Sequence, residues 1–341
     1  MRALSFRNPH EALPILLDAL FKTGIERDSR NGKVLQLTGP TLVEFTHPWE
    51  RVIFWPERDA NPIFHAYEML WMLAGRQDVA GVAHYVKRMA TFSDDTQTLN
   101  GAYGFRWRHH FGYDQLDLIV ENLKKNPNDR RQVLAMWDAT SSYDFEQLSD
   151  LQNQNSKDLP CNTHAYVAIN PDGRLELTVI NRSNDLVWGL LGANCVHFSW
   201  LQEYLAARIG VPMGSMFTLT NNLHGYLETI EPLRDLPMSQ GASPYELGTV
   251  NYQPLEQSSM LEFERDLQRL GKGDYESHFM RNVFGPMDAV HAAYKHGEYD
   301  QALELCSAIL ASDWSLACFE WVQRRIKRRQ IAQDDGAFYD K

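Results

Sequence analysis

Cysteine is scarce and scattered. The four in the chain, Cys161, Cys195, Cys306 and Cys318, include no pair at metal-ligand spacing, so no metal site is expected. Such usage fits a reducing cytoplasm best. No apolar run is long enough to span a bilayer, and the opening Met-Arg-Ala-Leu-Ser-Phe-Arg lacks the apolar region of a secretory signal. Neither a membrane nor an export route is therefore expected. Positive charge is in deficit: 33 Lys plus Arg against 44 Asp plus Glu give a formal charge of −11. That balance argues against a broad nucleic-acid-binding surface and leaves room for a local basic pocket. Internal repeats and low-complexity segments are missing too.

What is present can bury a large core. At 341 residues and 44% hydrophobic composition, the chain allows one large domain or two ordinary ones. Leu13, Leu16, Leu17, Leu20 and Phe21 recur at helical spacing and predict a helix over Pro9–Lys22, ended by Gly24. Arg27-Asp-Ser-Arg30-Asn-Gly reads as a polar turn or as an anion clamp, with short strands after it. A helix opening at Asn61-Pro62 carries Glu68 among Met69, Leu70, Trp71, Met72 and Leu73. A carboxylate there must be paired or have a raised pKa. Gly81 to Ala90 is expected to be helical. Tyr103 stands between Ala102 and Gly104 in a glycine-rich segment that can bring a phenol close to a cavity. Arg130 and Arg131 precede an apolar strand, Val133 to Trp137. Residues 140–158 read as a polar loop, and Pro171-Asp-Gly173 as the turn of a hairpin. After Ser259 the pattern is nearly all helical, and the basic run Gln323-Arg-Arg-Ile-Lys-Arg-Arg is expected to be a solvated face.

Chemistry concentrates between Leu159 and Tyr226. Pro160-Cys161-Asn162-Thr163-His164 places one cysteine after a proline. Asn181-Arg182-Ser183-Asn184-Asp185, then Gly189 to Asn194, then His224-Gly-Tyr226 follow within about seventy residues. A nucleophile, an arginine-serine pair, an amide and a His-x-Tyr so closely grouped point to an enzyme site.

In their order along roughly residues 10–230 these motifs resemble the thymidylate synthase superfamily, which includes thymidylate synthases and pyrimidine nucleotide hydroxymethylases. The resemblance implies an α+β fold, a large twisted mixed sheet with flanking helices. A catalytic domain over 1–238 and a mostly helical extension over 239–341 packed on it are expected. It also implies roles: Cys161 as nucleophile, Glu68 and Tyr103 as proton-handling groups, and Asn194 as the amide that reads the pyrimidine. Arg182 and Ser183 would bind phosphate with Arg30, for which Arg27 is the alternative. Arg130 and Arg131 would reach the phosphate in the other subunit of a homodimer with shared sites. His224 and Tyr226 would meet the sugar, and Asp185, with Glu68, the folate. The implied donor is 5,10-methylenetetrahydrofolate, and nearby arginines would favour the Cys161 thiolate.

The departures from the synthase pattern steer the expected product. Asn162-Thr163 intervene between Cys161 and His164, where synthases have histidine directly. The segment from Gly189 to Asn194 is one residue longer and lacks a proline. No tryptophan lies between Trp71 and Trp107, where Phe92-Ser-Asp-Asp stands instead. Ser93-Asp94-Asp95 would then hold a water or cap a turn. The expected activity is C5 hydroxymethylation of a pyrimidine nucleoside monophosphate, dUMP ahead of dCMP or CMP. The alternatives are thymidylate synthase and an inactive nucleotide-binding relative.

Overall fold

A computed structural model describes residues 2–140, 148–153, 155–236 and 242–334. Much of the expected 140–158 loop and the expected boundary at 238/239 lie outside these residues. The first part of the chain runs β1 (Arg2–Phe6), α1 (Pro9–Thr23), β2 (Ile25–Ser29), β3 (Gly32–Gln36) and β4 (Thr41–Phe45). Next come α2 (Pro62–Leu73), α3 (Val79–Tyr85), the short α4 (Tyr103–Phe105), α5 (Gln115–Lys125) and β5 (Val133–Ala135). The centre holds β6 (Asn162–Ile169), β7 (Leu175–Asn181), β8 (Asn184–Asp185), α6 (Asn194–Ile209), β9 (Met213–Thr220) and β10 (Leu223–Tyr226). Then follow α7 (Leu227–Ile230), α8 (Met260–Gln268), α9 (Gly285–His296), α10 (Tyr299–Cys306) and α11 (Ser312–Asp334).

The helices start where the sequence supplies caps. Asn8 accepts from Glu11 N at 3.0 Å ahead of Pro9, and Asn61 accepts from Phe64 N at 3.0 Å ahead of Pro62. Gly210 ends α6 in the left-handed conformation, φ 90°. Two expectations shift. The helix over Gly81–Ala90 ends at Tyr85 and passes into 3₁₀ turns over Lys87–Phe92. The polar stretch before Arg30 is not a turn but strand β2, paired antiparallel with β3. Its side chains are exposed on both faces, so no alternation marks it.

Six strands form a mixed sheet in the order β1-β4-β9-β7-β6-β5, and β2-β3-β10-β8 form a second sheet of four. The α+β architecture expected from the sequence is the one observed. Helix α6 lies at the centre of the core, with Phe198, Trp200, Leu201, Tyr204 and Leu205 fully enclosed. Side chains from the late helices, such as Phe284, Met287, Trp314 and Val322, belong to that same buried cluster. The basic run of α11 is not a solvated face throughout. Arg324, Arg325 and Arg328 converge on Asp59 at 3.1, 2.8 and 2.6 Å.

Two irregularities place the chemistry. In β6 the pairing with β7 runs Asn162↔Asn181 and then His164↔Ile180, so Thr163 is a bulge residue. The Thr163 carbonyl, pushed out, accepts from the N–H groups of both Met136 and Trp137 at 2.9 and 2.8 Å. Leading into α6, Leu186–Ala193 forms a wide π-helical turn, in which Asn194 N–H reaches back to the Gly189 carbonyl. An extra residue in a helix is accommodated in just this way. Both sequence departures thus have a local structural form.

Candidate active site

Cys161 sits at the mouth of β6, half-buried, with a free thiol. Its N–H and that of Asn162 both donate to the Tyr103 hydroxyl, at 3.0 and 3.2 Å. With the phenol oxygen accepting twice, its own hydrogen is left for a further partner. Burial raises the Tyr103 phenol well above its ordinary range. Tyr103 reaches this place because α4 packs tightly against α2: a Cβ on Gly104 would lie 1.9 Å from the Met72 carbonyl.

Arg182 and Arg30 hold the loop before the cysteine. Arg182 donates to Pro160 O at 2.8 Å and Leu159 O at 3.1 Å, and Arg30 to Ser156 O at 3.2 Å and Lys157 O at 3.0 Å. Burial pushes the Cys161 thiol up from its usual value, while Arg182 and then Arg30 pull it down. The arginines thus favour the thiolate as expected, but desolvation outweighs them and the thiol rests protonated.

The residue sequence reasoning missed is Asp158. Its carboxylate accepts from Gly101 N at 2.7 Å, and any Cβ at Gly101 would fall 2.8 Å from Oδ1. Burial lifts the Asp158 carboxyl above its ordinary value, and Cys161, Tyr103 and Glu68 all share its electrostatic neighbourhood. Glu68, only 6% exposed on α2, faces His197 with Nε2 3.1 Å from Oε2. The contact is close but not hydrogen-bonded in geometry, so both atoms remain without a hydrogen-bond partner. The Ser93-Asp94-Asp95 run serves as a brace. Asp95 takes N–H donors from Gln97 and Thr98 at 2.8 and 2.7 Å, and Asp94 takes Ser156 Oγ at 2.7 Å and Lys157 N at 3.1 Å. Both carboxylates are engaged, which fits the turn cap rather than the water holder.

On the other side, β8 and β10 run parallel with Asp185 opposite His224. Asp185 accepts from Trp188 N at 2.5 Å, and its Oδ2 is buried without a partner. Burial raises this carboxyl, opposed by backbone N–H groups and by His224. The rings of His224 and Tyr226 lie edge to face with centroids 5.5 Å apart. Ser183 lies between Arg182 and β8, partly exposed. Asn194, at the first turn of α6, donates to Asn184 Oδ1 at 3.0 Å and accepts from Asn162 Nδ2 at 3.2 Å.

Cys161, Tyr103, Arg30, Arg182, Ser183, Asn194 and, through Asp158, Glu68 thus converge, with Asp185, His224 and Tyr226 alongside. Arg130 and Arg131 do not join them within this chain. Both are exposed ahead of the edge strand β5, and Arg131 holds Asp129 at 2.9 and 2.8 Å. Among the described residues no cluster of His, Cys, Asp and Glu is arranged to hold a metal ion, and no helix is long and apolar enough to cross a membrane.

The chain is similar to known proteins along much of its length. A deoxyuridylate hydroxymethyltransferase of Pseudomonas phage M6 is 44% identical over the full length of both chains. One of Bacillus phage SP01 is 36% identical over 67% of this chain and 60% of its own. A putative thymidylate synthase of Methanopyrus kandleri is 33% identical over 40% of this chain and 57% of its own. The family model for thymidylate synthase matches residues 16–279, from inside α1 to beyond α8 and across every site residue described above, and the chain belongs to that family.

Proposed function

We propose that this enzyme adds a one-carbon unit to C5 of dUMP and completes it with water, as a deoxyuridylate hydroxymethyltransferase. The observation that carries the choice of water is Asp158, a half-buried carboxyl raised above its ordinary value by desolvation, held by Gly101 in the neighbourhood of Cys161, Tyr103 and Glu68. The names of the relatives from phages M6 and SP01 favour the same product.

Cys161 loses its thiol proton to solvent, its Sγ adds to C6, and C5 gains the nucleophilic electron pair while charge builds on O4. Asn194, with one N–H and one lone pair left over, stabilises that edge. Tyr103 and Glu68 handle the C5 proton. Once C5 carries the one-carbon unit, released by a donor that leaves as tetrahydrofolate, and has lost its proton, a water would add to that carbon with its proton passing to Asp158, and the electron pair returned to the ring would expel Sγ from C6 as thiolate. Arg30, Arg182 and Ser183 bind the phosphate, and His224 and Tyr226 the sugar.

The one-carbon unit comes from 5,10-methylenetetrahydrofolate when that donor is bound. The residues fit such a group: Asp185 Oδ2 is buried and lacks the N–H donor it calls for, and the indole of Trp188 stands 57% exposed beside it. Arg130 and Arg131 complete the site of a partner subunit in a homodimer. Residues 239–341 act as an extension that braces the catalytic part. Mixing two inactive proteins, Cys161→Ser and Arg131→Ala, then restores activity once subunits exchange, and no recovery despite exchange refutes the shared site.

The deciding experiment for the reaction is incubation with dUMP and methylenetetrahydrofolate in ¹⁸O-water. A labelled 5-hydroxymethyl product with tetrahydrofolate is expected. A methylated product with dihydrofolate, read by its absorbance rise, refutes the proposal in favour of thymidylate synthase.

A further inference from the structure

Behind Cys161 lies a run of side-chain hydrogen bonds that all point one way. Thr220 Oγ1 donates to Asn181 Oδ1 at 3.1 Å. Asn181 Nδ2 donates to Asn162 Oδ1. Asn162 Nδ2 donates to Asn194 Oδ1 at 3.2 Å, and Asn194 Nδ2 to Asn184 Oδ1 at 3.0 Å. The run ends on Asn184 Nδ2, buried with no partner. Thr220, Asn181, Asn162 and Asn184 are each almost fully enclosed. The bulge at Thr163 brings Asn162 opposite Asn181, and the absence of a side chain at Gly189 brings Asn184 to Asn194. A Cβ at Gly189 would lie 2.2 Å from Asn184 Oδ1.

We infer that this relay locks the amide of Asn194 in the one orientation that accepts uracil and refuses cytosine, with Asn162, Asn181 and Thr220 as positioning residues and Asn184 as its far stop. The inference rests on the uracil nucleotide proposed above. An amide flips at little cost in isolation, because its oxygen and nitrogen are nearly equal in shape. Here no single flip is allowed: turning Asn194 alone would set its nitrogen against Asn162 Nδ2 and its oxygen against Asn184 Oδ1. The whole run must reverse together, from Asn184 back to the Thr220 hydroxyl, which would turn from donor to acceptor. Uracil offers an acceptor at O4 beside a donor at N3. Cytosine offers a donor amino group beside an acceptor at N3. A locked amide fits one edge and opposes the other, so selection arises from residues that never touch the base.

Asn181→Asp tests this from two residues away. An ionised carboxylate has no hydrogen to give Asn162, so the lowest-energy arrangement is the reversed run, with the Asn194 amide turned over. The ratio of kcat/KM for dCMP to that for dUMP is expected to rise about tenfold or more. The ratio of equilibrium binding constants for the two nucleotides without folate moves the same way. Asn162→Asp, which has no hydrogen to give Asn194 Oδ1, shifts both ratios in the same direction. A relay acting only as packing would lower both substrates equally and leave the ratios alone. Unchanged ratios in folded Asn181→Asp at neutral and alkaline pH overturn the relay. If that variant does not fold, unchanged ratios in Asn162→Asp do so. Failure of the wild-type protein to bind dUMP overturns the proposed function instead, and with it the uracil basis of the relay.

Discussion

Asp158→Asn should separate catalysis from stability, because the same burial that suits the carboxyl to proton transfer works against the fold. The amide keeps the shape and can still accept from Gly101 N, the 2.7 Å contact that fixes the side chain. It cannot take a proton from water. Loss of a positioned base typically slows a reaction by about 10²–10⁴-fold, and the decrease should fall on the hydroxymethyl product measured in ¹⁸O-water. Stability should move the other way. The native carboxyl is raised above its unfolded value. Its contribution is therefore complete below the unfolded carboxylate range and is lost as pH rises through the native value. Each unit of that displacement corresponds to roughly 1.4 kcal/mol once the group is ionised. The amide carries no such penalty, so the variant should gain on wild type from acid toward neutral pH. Thermal melts across that pH range, paired with product analysis, read both effects. Wild-type turnover in Asp158→Asn, or a melting temperature lowered equally at every pH, would refute the assignment.

Cys161→Ser should abolish turnover while leaving dUMP binding measurable by calorimetry, and substantial turnover in a verified preparation would remove the cysteine from its role. Gly189→Ala drives a methyl group toward Asn184 Oδ1, now 2.2 Å from the ideal Cβ. It should cost about 1–3 kcal/mol in chemical denaturation and weaken dUMP binding, whereas wild-type values for both would show that the turn yields freely. Asp313, buried against the Tyr245 hydroxyl at 2.8 Å, is raised by desolvation to about 7. Its stabilising contribution is thus lost as pH climbs from its unfolded value to about 7. Asp313→Asn should flatten that part of the melting-temperature profile, and an unchanged slope would count against it.

Much of this site was legible because its groups travel in short motifs. Cys161 after a proline, Arg182-Ser183 before Asp185, and the paired His224 and Tyr226 each announce chemistry within a few residues. The helices α1, α2 and α6 followed from periodicity and end signals, and the mixed sheet from the family resemblance. Asp158 was illegible for a physical reason: an aspartate in a polar loop looks solvated. Its burial comes from Gly101, far upstream, which has no side chain to keep it away. The exposed β2 lacked any alternation, and so it read as a turn. The inserted residues after Cys161 and after Gly189 were visible, but their meaning was not. Only the bulge at Thr163 and the wide turn before α6 show that both insertions deliver asparagines to the same place. Likewise, nothing local in the basic stretch of α11 pointed to Asp59 as its target.

Arg182 and Arg30 grip backbone carbonyls of the segment that carries the nucleophile. A free arginine surrenders considerable rotational freedom when it meets a phosphate, on the order of 2 kcal/mol for the whole side chain. These two have given up much of that freedom on folding, and each guanidinium still has N–H groups to offer. A phosphate bound there as proposed would therefore meet cations already at rest, and affinity lost to ordering elsewhere would be retained here. The same grip ties the two events mechanically. On the proposed phosphate role, a shift imposed on Arg182 would pass through Pro160 to the adjacent sulfur, so a nucleoside without its phosphate should bind weakly and also present its C6 to a cysteine that is less well aimed.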